Sequence, residues 1–242
     1  MSAQPVIRTH ILSIKNADCI IIQLPATDGR KHIGLIDCGN SGYAKRYFNR
    51  LGFQPDRIQF IVATHPHRDH IVGLRPMLRY FADKEWDIGG FWDSGYPHGG
   101  DTYDDLITEV EKLIPNRLIY PKEDAEPFEF GLVKVHVLSP TKSGEYPGGY
   151  INNSSIVLMI EYEGAKLLLG GDAQYASWSK VINGMKSGLV DSNLLKVPHH
   201  GSRRGSSYEL IHDFITPNVA VITGNRPLGS KCEDEETHCF PH

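Results

Sequence analysis

The chain has 242 residues, 40% hydrophobic and 22% charged, enough for one well-cored domain over residues 1–242 with nothing that reads as a linker. A net charge of −4 excludes the all-over basic surface of many non-specific nucleic-acid binders, while leaving room for a local basic patch. Four scattered cysteines are too few for a disulfide scaffold, and no apolar run reaches the roughly eighteen residues of a membrane span, so a cytoplasmic protein with no membrane contact is expected.

Val6 to Ile14 and Cys19 to Leu24 read as strands joined by a turn at Asn16-Ala17-Asp18, and His32 to Ile36 adds a third after the break at Asp28-Gly29. Cys19 and Cys38 sit in apolar strand contexts and read as small core residues. Tyr43 to Leu51 has helical periodicity, Ile58 to Ala63 is a buried-type strand, and Ile71, Leu74, Met77, Leu78 and Phe81 recur at helical spacing. Ile88 to Trp92 is strand-like, Asp101 to Ile114 helical, and Val133 to Leu138 alternates at period two. Ser155 to Tyr162 and Lys166 to Leu169 predict a hairpin over Glu163-Gly164-Ala165. Asp191 to Val197 is a further buried-type strand, Tyr208 to Phe214 a helix and Val219 to Thr223 the last strand. Strands alternating with helices after an opening meander predict an α/β protein with mixed sheets. Two loops rich in Gly and Pro, Gly95 to Gly100 with His98 and Thr141 to Tyr150, either shape a substrate entrance or merely connect.

One stretch organises the chemistry. Thr64-His65-Pro66-His67-Arg68-Asp69-His70 puts three imidazoles and a carboxylate within six residues at the end of an apolar strand. Neutral imidazole is the commonest transition-metal ligand, and carboxylates add charge beside it. His65 and His67 lie two apart at a strand end, and Asp69 and His70 lie one turn further on, so two adjacent metal positions are the natural reading. Glycines at 170 and 171 let Asp172 approach a crowded centre, and Pro198-His199-His200-Gly201 again puts histidine at a strand end. The following Ser202-Arg203-Arg204-Gly205-Ser206-Ser207, at a helix start, offers backbone N–H groups and guanidinium forks to an anion such as phosphate, with Ser206 or Ser207 alternatively only capping the helix.

The sequence resembles the metallo-β-lactamase-fold hydrolases, whose hallmark is T-H-x-H-x-D-H followed by a turn such as Val72-Gly73-Leu74. Within them it is most similar to the hydrolase domain of ComEC-type DNA-uptake competence proteins. Leu35-Ile36-Asp37-Cys38-Gly39, Asn152-Asn153-Ser154-Ser155, Leu169-Gly170-Gly171-Asp172-Ala173 and Lys196-Val197-Pro198-His199-His200-Gly201-Ser202 fall in that group's order over nearly the whole chain. The resemblance implies a four-layer αββα sandwich of two mixed β-sheets, shortened at the C-terminal edge because the chain stops soon after Val219 to Thr223. It implies one or two zinc or manganese ions held by His65, His67, Asp69, His70, Asp172 and His200, with His199 as the alternative to His200. Asp172 would bridge the ions and Asp37 would support a ligand imidazole from behind.

Classical members carry a further histidine where this chain has Asn152-Asn153-Ser154-Ser155, so an oxygen ligand from Asn153, or water, would favour a harder ion such as manganese. His98 and His136 are other candidates, His136 reading as structural. The implied activity is hydrolysis by a metal-activated water, with Asp69 and Asp172 as catalytic groups. Ser202, Arg203 and Asn153 would hold the substrate, a phosphodiester of a nucleic acid or nucleotide. A lactone, thioester or β-lactam hydrolase and a non-catalytic, metal-stabilised binding domain are the alternatives. Cys232, His238, Cys239 and His242 cluster in the tail, but their spacing fits no standard zinc site.

Overall fold

Apolar runs in the first half of the chain build a sheet whose faces are both apolar. In the computed structural model, which describes residues 6–14, 17–25, 29–51, 54–141, 146–224 and 241, β1 (Arg8–Ile11), β2 (Cys19–Leu24) and β3 (His32–Cys38) form an antiparallel meander. Cys19 and Cys38 face each other across it, buried and unbridged. Helix α1 (Ser41–Leu51) leads to β4 (Arg57–Ala63), which pairs parallel with β3. A short helix α2 (Arg68–Ile71) and α3 (Leu74–Asp83) follow, and then β5 (Asp87–Ile88) and β6 (Phe91–Asp93), both parallel to β4. After α4 (Asp101–Leu113), β7 (Leu118–Ile119) closes the sheet.

The second sheet repeats this plan. β8 (Phe128–Phe130), β9 (Val133–Ser139), β10 (Val157–Tyr162) and β11 (Ala165–Leu169) are antiparallel neighbours, and β12 (Leu194–Lys196) and β13 (Val219–Val221) extend β11 in parallel. Helix α5 (Tyr175–Asn183) lies between β11 and β12 in the chain.

Alternation then decides the layers. Ile20, Ile22, Phe60, Val62 and Trp92 of the first sheet meet Val135, Val137, Leu158, Ile160 and Leu169 of the second in the central core. The opposite face of the first sheet, through Ile21, Leu35 and Ile61, packs on Phe48, Met77, Phe81 and Val110 of α1, α3 and α4. The outer face of the second, through Met159, Leu168 and Leu195, packs on Trp178 and Val181 of α5. Each such side chain, fully buried, contributes about 1.5–3 kcal/mol. The result is the expected four-layer αββα sandwich of two mixed sheets.

Local departures have local causes. The strand expected over Ile88 to Trp92 breaks at Gly89 and Gly90, where Gly89 lies so close to the β4 backbone that a Cβ would sit 2.4 Å from the Gln59 carbonyl oxygen. The strand expected from Asp191 to Val197 shortens to β12, and the helix expected from Tyr208 to Phe214 widens into a π-helical stretch, Leu210–Ile215. Helix α5 has only Ala176 and Lys180 as strong helix formers among its nine residues and was not expected; it is helical because Trp178 and Val181 cover the sheet. The expected shortening at the C-terminal edge and the Cys232 to His242 cluster fall largely outside the described residues. Among the described residues, no helix is long and apolar enough to cross a membrane.

Candidate metal centre

Both sheets deliver their functional loops to one edge of the sandwich. β3 ends at Asp37 and Cys38, β4 runs into Thr64, His65 and His67, and α2 carries Asp69 and His70. From the second sheet, β11 runs into Asp172, and β12 into the tight turn Pro198–Gly201 with His199 and His200. The backbone is strained here: Asp37, His199 and His200 have φ of 53°, 48° and 51°. Such conformations cost about 1–3 kcal/mol each and persist where surrounding contacts over-determine them. For Asp37 those contacts are the Thr64 N–H (2.8 Å), the Thr64 hydroxyl (2.7 Å) and His70 Nδ1 (2.7 Å). For His200 the contact is Nδ1 to the Thr223 carbonyl oxygen, 2.8 Å.

Two triads result. His65, His67 and Asp172 form one, and Asp69, His70 and His200 the other, each with ligand atoms within 4.8 Å of one another. His65 Nε2 and His67 Nδ1 are 3.0 Å apart, close to the roughly 3.3 Å expected of two nitrogens on one tetrahedral ion. His200 Nε2 lies 3.4 Å from Asp69 Oδ2. Asp172 stands between the triads, with Oδ1 3.3 Å from His70 Nε2, and Oδ2 3.8 Å from His65 Nε2 and 3.9 Å from His200 Nε2. His199 Nε2 also comes within 3.9 Å of Asp172, but its Nδ1 faces the Gln174 amide at 3.2 Å and it belongs to neither triad.

Hydrogen bonds at the back of the rings set the tautomers. Asp37 takes the Nδ1 proton of His70, and the Thr64 hydroxyl, itself donating to Asp37, takes that of His65, so Nε2 of both rings faces the centre. Burial holds His65 and His67 below the usual imidazole range, hence neutral. Burial opposes the charge on both His70 and Asp172, yet in the metal-free chain Asp172 and Asp37 hold His70 above the usual imidazole range, and His70 in turn holds Asp172 well below the usual carboxylate range; Asp69, close to His200, is likewise held low.

This donor set fits a cation. His70 Nε2 and Asp172 Oδ1 are buried 3.3 Å apart without a well-formed hydrogen bond, a place that favours positive charge between them, a proton in the metal-free chain or a cation in its stead. Imidazoles that give up a proton to a metal, with ionised carboxylates beside them, suit a divalent transition ion.

A model of the metallo-β-lactamase superfamily matches residues 15–222. The chain belongs to this superfamily. Its members generally are metal-dependent hydrolases, and the two triads are where this member could hold divalent ions. The chain is 34% identical over 173 residues to ComE operon protein 3 of Bacillus subtilis (strain 168), a match that covers 70% of this chain but only 20% of that protein's length. Among solved structures it is similar to human tRNase Z, short form, with TM-score 0.51 at 13% identity over 90% of this chain and 92% of the other. It is equally similar to a B3 metallo-β-lactamase with an active-site glutamic acid, with TM-score 0.51 at 17% identity over 87% and 85%. These two likenesses are of fold.

Other expected site residues lie apart from the triads. The Asn153 side-chain oxygen accepts the Gln174 N–H at 3.1 Å and so holds the loop after Asp172. Ser202 is buried, and its hydroxyl accepts the Arg204 N–H at 3.3 Å, whereas the Arg203 side chain is exposed. Ser207 accepts the Leu210 N–H and so acts as a cap, and Ser206 donates to the Pro198 carbonyl. His136 pairs with Glu161 across β9 and β10, away from the edge.

Sequence reasoning missed a buried group behind the centre. Asp18, expected in a turn, is 1% exposed; it pairs with the Lys196 ammonium, accepts the Thr223 hydroxyl at 2.6 Å, and lies 3.9 and 3.8 Å from Nδ1 of His70 and His200. A lysine inside the apolar run Leu194-Leu195-Lys196-Val197 was the available signal, since an unpaired ammonium would not be buried there.

Proposed function

We propose that this protein is a two-ion hydrolase of phosphodiesters in nucleic acids or nucleotides, with zinc or manganese held by His65, His67 and Asp172 on one side and by Asp69, His70 and His200 on the other. The observation that carries this reading is the position of Asp172, whose two oxygens face both triads. Bound ions supply Lewis acidity and bring the pKa of a water toward neutrality, which suits in-line displacement at phosphorus.

The chain's own residues supply position and charge. Asp172 joins the two halves, and its ionised state balances the cations. Asp69 is the one carboxylate of the triads open to solvent, its side chain 42% exposed. Held ionised, it is a weak base but a strong hydrogen-bond acceptor, suited to aiming a water rather than to keeping its proton. Asp37 and Thr223 hold His70 and His200 by their Nδ1 atoms and so fix where Nε2 points. Arg203, exposed three residues beyond His200, takes a substrate phosphate at the rim; the buried Ser202 shapes the turn that presents it.

The resemblance to ComEC-type proteins, with Asn152-Asn153-Ser154-Ser155 where lactamases carry a further histidine, supports a phosphodiester over a carbonyl substrate. The test is turnover of bis(p-nitrophenyl) phosphate against that of a lactone by manganese- or zinc-loaded protein. Phosphodiester cleavage is expected. Lactone cleavage alone would assign a carbonyl hydrolase, and metal-dependent stability without turnover of either would assign a binding domain.

A further inference from the structure

A cleft of about 900 Å³ lies beside the metal centre, walled by Tyr96, Tyr103, Tyr120, Tyr146, His98 and Lys122. His98 is also a wall of a smaller cleft of about 280 Å³ whose other side is His67 and Arg68, so its ring stands between the first triad and the tyrosines. Four tyrosines around one opening, with a lysine among them, are not accounted for by the hydrolytic centre.

The rings are held in place. Tyr103 donates its hydroxyl proton to Asp93 at 3.0 Å, Tyr146 to the Ser94 carbonyl at 3.0 Å and Tyr96 to the Gly149 carbonyl at 3.1 Å. Tyr96 and Tyr146 meet edge to face at 5.0 Å. With three hydroxyls turned into the wall, the cleft offers ring faces and edges. Tyr120, at the end of β7, is half exposed. Gly95, with φ of +76°, keeps the space between Tyr120 and Tyr146 open: a Cβ there would lie 3.2 Å from one ring and 3.3 Å from the other hydroxyl. Lys122 reaches in over the Tyr146 ring at 5.5 Å and donates to the Ser94 carbonyl at 3.2 Å, leaving two of its three protons for an anion.

Flat aromatic faces beside a cation match one ligand chemistry, a planar π-system carrying a phosphate. We propose that this cleft stacks an unpaired nucleobase of a single-stranded nucleic acid next to the phosphodiester at the metal centre, with Lys122 on its phosphate; the assignment rests on the phosphodiesterase reading above. An unpaired base is required because in a duplex both faces of each base are covered by its neighbours, and only a splayed base meets a side-chain ring. A sugar would call for carboxylates or amides turned into the opening. Asp93, the carboxylate beneath the tyrosines, is buried and already accepts from Tyr103 and the Gly95 N–H.

The test is fluorescence anisotropy of a fluorescein-labelled hexathymidylate with hydrolysis-resistant phosphorothioate linkages, bound to the metal-loaded full chain. Tyr120→Ala is expected to weaken binding about tenfold, the scale of one base–aromatic stack, and Tyr120→Trp to restore it. A duplex of the same length is expected to bind without dependence on residue 120. Equal affinity of all three proteins for the single strand, or equal sensitivity of the duplex, would overturn the cleft assignment. Turnover of bis(p-nitrophenyl) phosphate by the wild type is measured alongside. Turnover with binding that ignores residue 120 sinks the cleft and keeps the phosphodiesterase, and binding that depends on residue 120 without turnover of any phosphodiester keeps the cleft and sinks the phosphodiesterase.

Discussion

Lys196 and Asp18 form an ion pair that is 1% exposed on each side and lies directly behind the imidazoles of His70 and His200. Desolvating two charges is expensive, and such pairs add little net stability over an apolar pair of the same shape. Its use is positional, because Asp18 places a fixed negative charge behind two rings whose front atoms face the metal positions. Lys196→Met leaves that carboxylate buried and uncompensated. A loss of about 3–5 kcal/mol by urea unfolding is expected, with much of it recovered in the double variant Asp18→Asn/Lys196→Met. A double variant as unstable as the single one would count against the pair.

The loss should also depend on pH. Lys196 holds Asp18 below its ordinary value of 3.8, so the carboxylate's contribution is complete above that pH and is lost only as pH falls through the lowered value. Asp18 raises Lys196 above 10.5, so the ammonium's contribution is complete below that pH and is lost as pH rises through the raised value. In Lys196→Met burial is no longer offset and raises Asp18, which can shed its uncompensated charge by taking a proton, so wild type and variant should differ most toward about pH 9 and converge as pH falls; a difference that grows toward about pH 5 would refute the assignment.

The layers and the HxHxDH loop were legible because both are written locally: an apolar run in Cys19 to Leu24, period-two alternation in Val133 to Leu138, and ligands within six residues of one another. Asp18 was not legible, because its neighbours Asn16 and Ala17 read as a turn while its partners Lys196 and Thr223 lie about 180 and 205 residues away. The tyrosine cleft was equally hidden, its rings coming from a loop, a helix and a strand end. Ser202 shows the converse. A hydroxyl beside two arginines reads as a phosphate contact, yet the same atom closes its own turn through the Arg204 N–H.

Asp172 should control metal at both positions. Elemental analysis is expected to find about two ions per wild-type chain, about one in His200→Ala and none in Asp172→Ala, because among the described residues Asp172 is the carboxylate whose two oxygens face both triads. Phosphodiesterase activity of Asp172→Ala should fall by more than about a hundredfold, beyond what changes behind a ligand cost. Retention of one ion by Asp172→Ala would remove it from the bridging place.

Asp37→Asn tests the support behind His70. Asparagine tolerates the left-handed backbone at this position and keeps the side chain's size, but it removes the charge that takes the His70 Nδ1 proton. Affinity for the ion at Asp69, His70 and His200 should fall about 10–100-fold in chelator competition, while the melting temperature of metal-free protein changes little. Unchanged affinity would mean that His70 is oriented by its other contacts.

Gly39→Ala should disturb the centre without touching a ligand side chain. A Cβ at residue 39 would lie 2.1 Å from the Asp69 carbonyl oxygen and 2.5 Å from the Ala17 Cβ, and neither can swing away as a long side chain does. The same Asp69 carbonyl accepts the Asp18 N–H at 3.3 Å, so the clash pushes α2 off the segment that carries Asp18. Overpacking of this kind costs about 1–3 kcal/mol. His65 and His67 hang on β4 and should keep their place, whereas Asp69 and His70 move with α2. Gly39→Ala is therefore expected to bind about one ion where the wild type binds about two, with a lowered melting temperature, while Gly99→Ala, where a Cβ meets only open space, matches the wild type. Loss of both ions together, or of neither, would show that the two triads do not respond separately to the position of α2.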